Sequence, residues 1–362
     1  MTGGTSFSQS LGTLTALDAA LAQLRAFVSP VTAKRLPVAR ALGHVLAQDI
    51  IASTPLPQRA RALRDGYALS SQEIAGASSY SPVMLMKTPV RVSIGDTLPD
   101  GCDCVLEPAN LDLTGPMVQV MSEAAPGEGL RRAGEDAPVG TVLLRNGRQI
   151  TARDLAILHE AQLSELELRI PRVALINRGS ARISTQMVAA AIARFGAEPH
   201  ELSSFDTTDA DLVVTIGGTG EGEGDRTVQE LRATGELLCH GIACAPGRSI
   251  ALARRGSTPI LALPGSPADV MAGWFFILHP LLMQMTGAAP QPGLRLPLAQ
   301  KLASRVGVAE LALLARRDDH FVPLCLGDMP LRLMAEATHI YLVSGSSEGH
   351  AAGEMIEACP FE

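Results

Sequence analysis

Hydrophobic residues in the second half of the chain form short continuous runs that are bounded by turn-forming residues. The clearest runs, rich in Val, Ile and Leu, lie at 172–177, 212–216 and 259–263. Patterns typical of helices follow these runs at 185–195, 227–233 and 267–287. Strands that alternate with helices are typical of a parallel sheet that is covered on both faces. The pattern therefore predicts a three-layer α/β region at 171–287.

The first half of the chain has a different texture. Segments 15–18 and 151–154 both read Thr-x-x-Asp, a capping-box form that predicts helices ending near Val28 and Gln162. Short β-type runs separated by Gly and Pro lie between these helices. Residues 288–298 have the composition of a linker, and the segment that follows them predicts further short strands.

Composition and charge narrow the class of protein. A chain of 362 residues has room for roughly two to three domains. A net charge of −7 argues against a general nucleic-acid or membrane-surface binder. The amino terminus lacks the pattern of a secretory signal, and the apolar stretch 270–285 is too short to cross a membrane. We therefore expect a soluble, cytoplasmic protein with no nucleic-acid or membrane partner.

The cysteines give no sign of a disulfide framework or a thiolate metal site. The six cysteines, at 102, 104, 239, 244, 325 and 359, contain no Cys-x-x-Cys pair. The spacing of Cys102 and Cys104 suits neighbouring positions on one face of a strand rather than a zinc site. Reduced thiols are therefore expected, as is usual in a cytoplasm.

Candidate chemistry is concentrated in segment 211–227, DLVVTIGGTGEGEGDRT, where a predicted strand runs into a glycine loop, residues 217–225. The loop has no Walker ending and no G-x-G-x-x-G frame, so it is neither of those phosphate-binding fingerprints. Its acids, Glu221, Glu223 and Asp225, are compatible with a phosphate site if a divalent cation lies between the charges. The alternative is a solvated acidic loop that binds nothing.

A second turn belongs to the same predicted edge of the sheet. The strand at 259–263 is followed directly by Leu263-Pro-Gly-Ser-Pro267, just as the strand at 212–216 is followed by the glycine loop. The carboxyl ends of parallel strands share one edge, where ligands bind in α/β sheets. The two turns are therefore predicted to share one rim.

Six segments, in chain order, carry a resemblance to a known family. They are Arg64-Asp-Gly-Tyr-Ala68, Leu98-Pro-Asp-Gly-Cys-Asp-Cys-Val-Leu-Glu107, Arg131-Arg-Ala-Gly-Glu-Asp136, Gly217-Gly-Thr-Gly-Glu-Gly-Glu-Gly-Asp225, Ala245-Pro-Gly-Arg248 and Leu263-Pro-Gly-Ser-Pro267. Together they resemble the motifs of the molybdopterin molybdenumtransferase family (MoeA and the gephyrin E-domain). The resemblance covers essentially the whole chain and identifies it as a diverged member.

The resemblance implies a multidomain fold of the α/β plus β class. The expected parts are a three-layer α/β molybdopterin-binding domain, a β-rich domain, a small helical linker domain and a C-terminal domain resembling a β-barrel. The expected bounds are 10–30 with 141–170 for the linker domain, 31–140 for the β-rich domain, 171–287 for the α/β domain and 288–362 for the C-terminal domain.

The resemblance also implies an activity: insertion of molybdate into adenylylated molybdopterin, with a divalent cation such as Mg²⁺ and release of AMP. It implies catalytic roles for Asp65, Asp136 and Asp225, with Asp225 as the cation ligand, in a site shared across a homodimer. The residues expected to bind the pterin phosphates are Gly217, Gly218, Thr219, Gly220, Thr227, Pro246, Gly247, Arg248, Pro264, Gly265 and Ser266. A molybdoenzyme or another cofactor-biosynthesis protein would be a further partner.

Alternative interpretations stay open for these residues and for the chain. Asp65 can start a turn, and Asp136 can pair with Arg131 or Arg132. The chain can also be a non-catalytic protein that holds molybdopterin or the finished cofactor for delivery or modification. A scaffold that uses the fold only for protein contacts is the third possibility, and the retained glycines argue against it.

Several positions depart from the family pattern. The family's Gly-Asp-Glu-Leu turn is Gly179-Ser180-Ala181-Arg182 here, and a usual threonine and lysine are Ile94 and Ala245. A family aspartate pair before the glycine loop has no clear counterpart among Asp206, Asp209 and Asp211. With fewer carboxylates, the chain is expected to bind molybdopterin well but to need high Mg²⁺ or molybdate. Ala181→Glu combined with Ala245→Lys is expected to raise insertion.

Overall fold

The structure, a computed structural model, describes residues 11–179, 181–205 and 209–361. It divides the chain into two compact units. The first contains the described parts of Met1–Gln48, Asn146–Thr151 and Glu165–Glu362, and the second contains Asp49–Arg145 and Ala152–Ser164. The four-domain division stays a prediction. The first residue of the predicted linker domain, Ser10, lies outside the described residues. So do Ser180 and Asp206, two of the positions where the sequence departs from the family pattern.

A six-stranded sheet forms the centre of the predicted α/β region. The order of its strands is Glu198–Glu201, Arg172–Asn177, Leu212–Ile216, Thr258–Leu263, Ala251–Arg255 and Glu236–His240. The first four are parallel to one another, and Ala251–Arg255 is antiparallel to both of its neighbours. The three strands predicted at 172–177, 212–216 and 259–263 are therefore parallel, as expected, within a sheet that is mixed as a whole. Gly256 and Ser257 form a two-residue turn between paired Arg255 and Thr258, and such a turn can only return an antiparallel strand.

Helices cover both faces of this sheet. They are Arg182–Phe195, Thr227–Thr234, Pro267–Gly273 and His279–Thr286, the last two joined by the π-helical stretch Trp274–Leu278. Consecutive strand residues such as Leu212 and Val213 belong to opposite buried clusters. The continuous apolar runs are explained because both strand faces are buried. Gly196 and Gly287 end two of the helices with positive φ, a conformation that favours glycine.

The apolar helical segment predicted at 267–287 is present over almost its whole length. Pro267–Thr286 has 20 residues and is long and apolar enough to cross a membrane by length and composition. Half of its most apolar window is buried inside the protein, and the core helix of a soluble protein meets the same criteria.

The amino-terminal helix does not begin with the predicted cap. It spans Leu17–Arg25, and its N-cap, Ala16, makes no side-chain hydrogen bond. Thr15 instead belongs to a short strand parallel to Ile242–Ala245 and donates its N–H to the Gly241 carbonyl (3.0 Å). The backbone of Thr15 is therefore used in a sheet. The second predicted helix is present as Ala152–Glu160.

A seven-stranded sheet combines strands from the carboxyl-terminal part of the chain with two strands from earlier segments. Its strands are Thr15–Ala16, Ile242–Ala245, Leu294–Pro297, Ala309–Arg317, His320–Leu326, His339–Val343 and Met355–Pro360. Because Leu294–Pro297 is one of them, the prediction of a linker over 288–298 is wrong in its second half. Smaller elements of the unit are Lys34–Pro37, Val38–Arg40, Val45–Leu46, Glu165–Arg169, Leu302–Ala303, Leu331–Glu336 and Gly349–His350.

The second unit consists mainly of short strands, as the texture of its sequence predicts. They are Ile50–Ile51, Arg61–Ala62, Gly66–Leu69, Val83–Leu85, Val90–Val92, Cys104–Leu106, Leu111–Asp112, Val118–Val120, Leu130–Arg131 and Val142–Leu144, with a 3-10 turn at Pro108–Asn110. Cys104 begins its strand and Cys102 precedes it, so the two thiols do not share a strand face. All six cysteines are free.

Candidate functional site

Three neighbouring parallel strands, Arg172–Asn177, Leu212–Ile216 and Thr258–Leu263, end at the same edge of the six-stranded sheet. The Gly217 N–H donates to the Leu263 carbonyl (2.9 Å), which joins the glycine loop to the turn after the third strand. A Cβ atom placed on Gly265 would lie 3.6 Å from the Gly217 Cα, so the two turns are close neighbours. The predicted common rim is therefore confirmed. We call segments 217–225, 245–248 and 263–267 the rim.

Two glycines at the start of the loop are required by its path. Gly217 and Gly218 have φ values of 99° and 72°, which side chains rarely adopt. A Cβ atom would lie 2.6 Å from the Arg178 carbonyl oxygen at Gly217 and 2.5 Å from the Thr227 Oγ1 at Gly218. Thr227 is buried, and its hydroxyl donates to the Gly217 carbonyl (2.8 Å). Thr227 therefore closes the loop at the first residue of the following helix.

Thr219 is held at the back of the loop by two residues that the sequence analysis missed. The Nε2 atom of His240 lies 2.9 Å from the Thr219 carbonyl oxygen, and both residues are buried. The Thr219 hydroxyl lies 3.2 Å from the Ser249 hydroxyl. Contacts between such distant sequence positions leave no local pattern by which they could have been found.

The carboxylate of Asp225 is turned back into its own loop. Its Oδ2 atom accepts the N–H of Gly222 (3.0 Å) and would lie 2.7 Å from a Cβ placed on Gly220. Glu221 is exposed, and its carboxylate accepts the N–H of Leu11 (2.7 Å). Two of the three loop acids thus accept backbone N–H groups, Asp225 within its own turn and Glu221 from a distant segment.

Asp269 ties the two Pro-Gly turns of the rim together. Its Oδ1 atom accepts the N–H of Gly247 (2.8 Å), and its Oδ2 atom accepts the hydroxyl of Ser266 (2.6 Å). Ser266 is in turn the N-cap of the helix Pro267–Gly273 and accepts the N–H of Asp269 (3.2 Å). The Ser-x-x-Asp spacing, a form of capping box, was the available signal for Asp269.

The contacts of Asp269 change what the neighbouring residues can offer a ligand. The Gly247 N–H and the Ser266 hydroxyl both donate to Asp269, so these donors already have an anionic partner. Pro246 and Pro264 have no N–H, and Arg248 is exposed. Burial, reinforced by the Asp269 charge, raises the pKa of the Cys244 thiol to about 12, so this cysteine is no nucleophile at neutral pH.

The turn that follows the strand Arg172–Asn177 is closed by a small buried residue. Ala181 is buried, and its carbonyl accepts the hydroxyl of Thr185 (2.9 Å). The Ser184 hydroxyl donates to the Gly265 carbonyl (2.7 Å), so the helix here also holds the rim. A glutamate at position 181 would place its stem in the core, since Ala181 packs there. The structure therefore does not support the expected gain from Ala181→Glu.

The two predicted catalytic acids outside the α/β region lie in the second unit, on its surface. Asp65 is exposed and accepts the N–H of Ile94 (2.8 Å). Asp136 pairs with Arg131, and this hydrogen bond raises the pKa of the Arg131 guanidinium. The contact of Asp136 is the one expected under the alternative interpretation. The catalytic roles of both acids stay predictions.

The donor set of the rim can be compared with what Mg²⁺ requires. Among the described residues, no three His, Cys, Asp or Glu side chains converge as a metal-binding group. Mg²⁺ is often held by one or two carboxylates together with substrate phosphates and water. Asp225, partly exposed in a glycine loop, fits such a site. A cage made of protein ligands alone does not fit the described residues.

Comparison with known proteins agrees with this architecture. Residues 15–161 match the family model for the MoeA N-terminal region (domain I and II), and residues 183–284 match that for a probable molybdopterin binding domain. Molybdopterin molybdenumtransferase 2 of Mycobacterium tuberculosis is 29% identical over 73% of this chain and 78% of its own length. The molybdopterin molybdenumtransferase of Synechococcus elongatus is 25% identical over 91% and 94%.

The likeness extends to a solved structure. The molybdopterin biosynthesis moeA protein from Pyrococcus horikoshii OT3 has a TM-score of 0.69 and 21% identity, over 96% of this chain and 99% of that one. The fold is thus that of a MoeA-like multidomain protein with mixed sheets. With two family models that together match more than half of its residues, the chain belongs to the molybdopterin molybdenumtransferase family.

Proposed function

We propose that this chain inserts molybdate into adenylylated molybdopterin and releases AMP, as a transferase of molybdenum cofactor biosynthesis. The observation that carries the proposal is the position of the rim. All three rim segments lie inside 183–284, the part that matches a molybdopterin binding domain. The curated relatives named molybdopterin molybdenumtransferase support the same reaction class, at 23–29% identity.

Each part of the rim has a distinct task in this proposal. The positive φ values of Gly217 and Gly218 give the loop the path in which its backbone N–H groups would bind the phosphates. Arg248 is exposed, and its guanidinium can pair with a phosphate through two parallel hydrogen bonds. Asp269 keeps the turns of Gly247 and Ser266 in place before the ligand arrives.

Asp225 is the residue that would hold Mg²⁺, together with phosphate oxygens of the substrate. The ion would supply charge neutralisation at the phosphoryl group. The Gly222 N–H fixes one carboxylate oxygen of Asp225 and so limits the directions in which the other oxygen can point. The loop thereby presents a carboxylate with a restricted orientation, which lowers the entropy that ordering it would cost.

We also propose a cytoplasmic homodimer whose active site is shared between chains. The family resemblance supports the dimer and the shared site, in which Asp65 and Asp136 of one chain would act with Asp225 of the partner chain. Six free cysteines are compatible with a reducing compartment. Sedimentation at micromolar concentration tests the dimer, and a strictly monomeric chain would contradict it.

The central test is a turnover assay. Purified protein is incubated with adenylylated molybdopterin, Mg²⁺ and molybdate, and AMP release and molybdenum-loaded pterin are both measured. The proposal requires both products, each dependent on Mg²⁺. A matched reaction without molybdate separates cleavage of the pyrophosphate from insertion of the metal. Titration of Mg²⁺ and molybdate tests the expected need for high concentrations.

A second candidate function is a binding protein that carries molybdopterin without turnover. It is favoured by one observation: the Oδ2 atom of Asp225, the residue that would hold the cation, already accepts the N–H of Gly222. This function predicts that molybdopterin copurifies with the protein and that no AMP is released. If molybdopterin copurifies with the protein and AMP is also released, the result supports the transferase.

A further inference from the structure

His240 occupies a position where an apolar residue would be expected. It ends the edge strand Glu236–His240, and its neighbours along one row across the sheet are Ala251, Ala262 and Thr215. Paired residues in a sheet point to the same face, and Ala251 and Ala262 belong to the buried cluster on that face. The imidazole therefore lies beside an apolar layer, where a polar ring needs hydrogen-bond partners to offset its burial.

One ring nitrogen of His240 has a clear partner and the other has none among the described residues. The Nε2 atom lies 2.9 Å from the Thr219 carbonyl oxygen. A carbonyl oxygen only accepts, so Nε2 carries the proton in this contact. The Nδ1 atom is buried without a hydrogen-bond partner, which is unfavourable. The unpartnered Nδ1 atom therefore costs free energy that an apolar side chain would avoid. What the imidazole contributes in return is the Nε2 hydrogen bond to Thr219.

The acceptor of this hydrogen bond lies inside the glycine loop. Thr219 is 1% exposed, and its hydroxyl lies 3.2 Å from the Ser249 hydroxyl. His240 and Ser249 flank the rim segment 245–248 on both sides. They thus join the glycine loop to the segment that carries Arg248, while Asp269 joins that segment to the third turn.

We propose that His240 is a positioning residue that fixes the glycine loop through the Thr219 carbonyl and thereby sets its affinity for the phosphate group of adenylylated molybdopterin. The statement about the ligand rests on the proposed function, and the statement about the loop does not. His240 touches the loop backbone and is assigned no contact with the reacting atoms.

The first test measures the loop without any ligand. Amide hydrogen exchange is followed at residues 219–224 in the wild-type protein and in His240→Leu, His240→Gln and Thr215→Val. Leu keeps volume but removes the donor, and Gln places an amide N–H near the position of Nε2. Thr215→Val is the matched control, because the Thr215 hydroxyl is also buried without a partner among the described residues and lies in the same row.

The expected result is about tenfold faster loop exchange in His240→Leu, with His240→Gln and Thr215→Val within about threefold of wild type. Unchanged loop exchange in His240→Leu would overturn the proposal. So would an equal rise throughout the six-stranded sheet, since that would indicate general destabilisation. Should His240→Leu fail to fold, His240→Met takes its place with the same expected and contradicting results, because Met also removes the donor and adapts more easily to an irregular space.

The second test measures the affinity for adenylylated molybdopterin by equilibrium binding. His240→Leu should raise Kd about tenfold, and His240→Gln should restore most of the affinity. Wild-type protein that binds no molybdopterin would refute the proposed function, while the exchange experiment would still decide the role of His240. Wild-type binding that His240→Leu leaves unchanged would refute the ligand part of the inference alone.

Discussion

The rim of the first unit and the acid-bearing surface of the second unit hold their polar side chains in different ways. At the rim, the hydroxyl of Thr227 and the imidazole of His240 make buried hydrogen bonds to the glycine loop. On the second unit, Asp65 and Asp136 make exposed contacts, to a backbone N–H and to a neighbouring guanidinium.

This difference matters for how each region would meet a ligand. Hydrogen bonds in a buried setting are stronger, and a lost partner there leaves a costly unsatisfied group. Exposed ion pairs contribute little and exchange partners easily. The rim is therefore fixed before the ligand binds, whereas Asp65 and Asp136 can give up their present contacts at small cost. Local contacts on the second unit are thus compatible with a catalytic role.

The largest expected effect tests the chemical task of the rim. Asp225→Asn should reduce AMP release on the order of a thousandfold while molybdopterin binding stays nearly intact, because in the proposed function the carboxylate holds the metal and other groups hold the phosphates. Glu223→Gln, which also removes one charge from the exposed part of the loop, is the matched control. Near wild-type release by Asp225→Asn would remove this residue from the mechanism.

The next effect tests whether the exposed acids act at all. Asp65→Asn keeps an oxygen for the Ile94 N–H, so its stability should not change, while activity should be lost if the carboxylate is catalytic. Mixing Asp65→Asn chains with Asp225→Asn chains should restore roughly a quarter of wild-type activity. Half of the dimers would then be mixed, each with one intact shared site. Full activity of Asp65→Asn alone would show that the local contact is its whole role.

A smaller effect tests how far the rim depends on Asp269. Asp269→Ala should lower the free energy of unfolding by about 2–3 kcal/mol and weaken molybdopterin binding, since the Gly247 N–H and the Ser266 hydroxyl lose their shared acceptor. Asp269→Asn keeps the acceptor for Gly247 and should behave nearly as wild type. Denaturant unfolding and equilibrium binding measure the two quantities. Tighter phosphate binding by Asp269→Ala would mean that the carboxylate competes with the ligand.

The central strands and the common rim could be predicted because local pattern and topology specify them. Arg172–Asn177 and Leu212–Ile216 are continuous apolar runs, buried on both faces, and their bounds agree with the prediction. The strand Glu198–Glu201 was missed because its sequence, EPHE, is polar and lies at the sheet edge. The prediction of a helix cap at Thr15 was wrong because the capping pattern is local, whereas the strand pairing of Thr15 with Ile242 is not.

The site was harder to predict than the fold. A glycine loop can be recognised from its composition. His240, in contrast, lies 21 residues from Thr219, whose carbonyl it contacts, and no spacing rule connects these two residues. Position 181 shows the opposite error. The sequence was interpreted only as lacking a carboxylate at position 181, whereas in the structure Ala181 packs in the hydrophobic core. The predicted site and the site in the structure therefore differ mainly in side-chain contacts between segments that are distant in sequence.

The smallest expected effect compares a buried acid near the rim with an exposed acid of the second unit. Glu310 lies beside Ala245 in the seven-stranded sheet, and its side chain is 5% exposed. Burial alone would raise the pKa of Glu310, but hydrogen bonds from Ser304 and Arg305 outweigh it and hold the pKa below the ordinary value of 4.5. Because the folded state binds protons less readily, Glu310 adds stability above pH 4.5, and this is lost as the pH falls through its folded pKa.

Glu310→Gln should therefore lower the free energy of unfolding by about 1 kcal/mol at neutral pH, and the difference from wild type should shrink below pH 4.5. Denaturant unfolding at a series of pH values measures both effects. Asp136→Asn is the matched control, because its partner Arg131 is exposed and the pair contributes little at any pH. If Asp136→Asn instead destabilised the protein as much as Glu310→Gln, the exposed acid would be as firmly held as the buried one. The contrast between the two regions would then rest on their positions in the fold and not on the strength of their contacts.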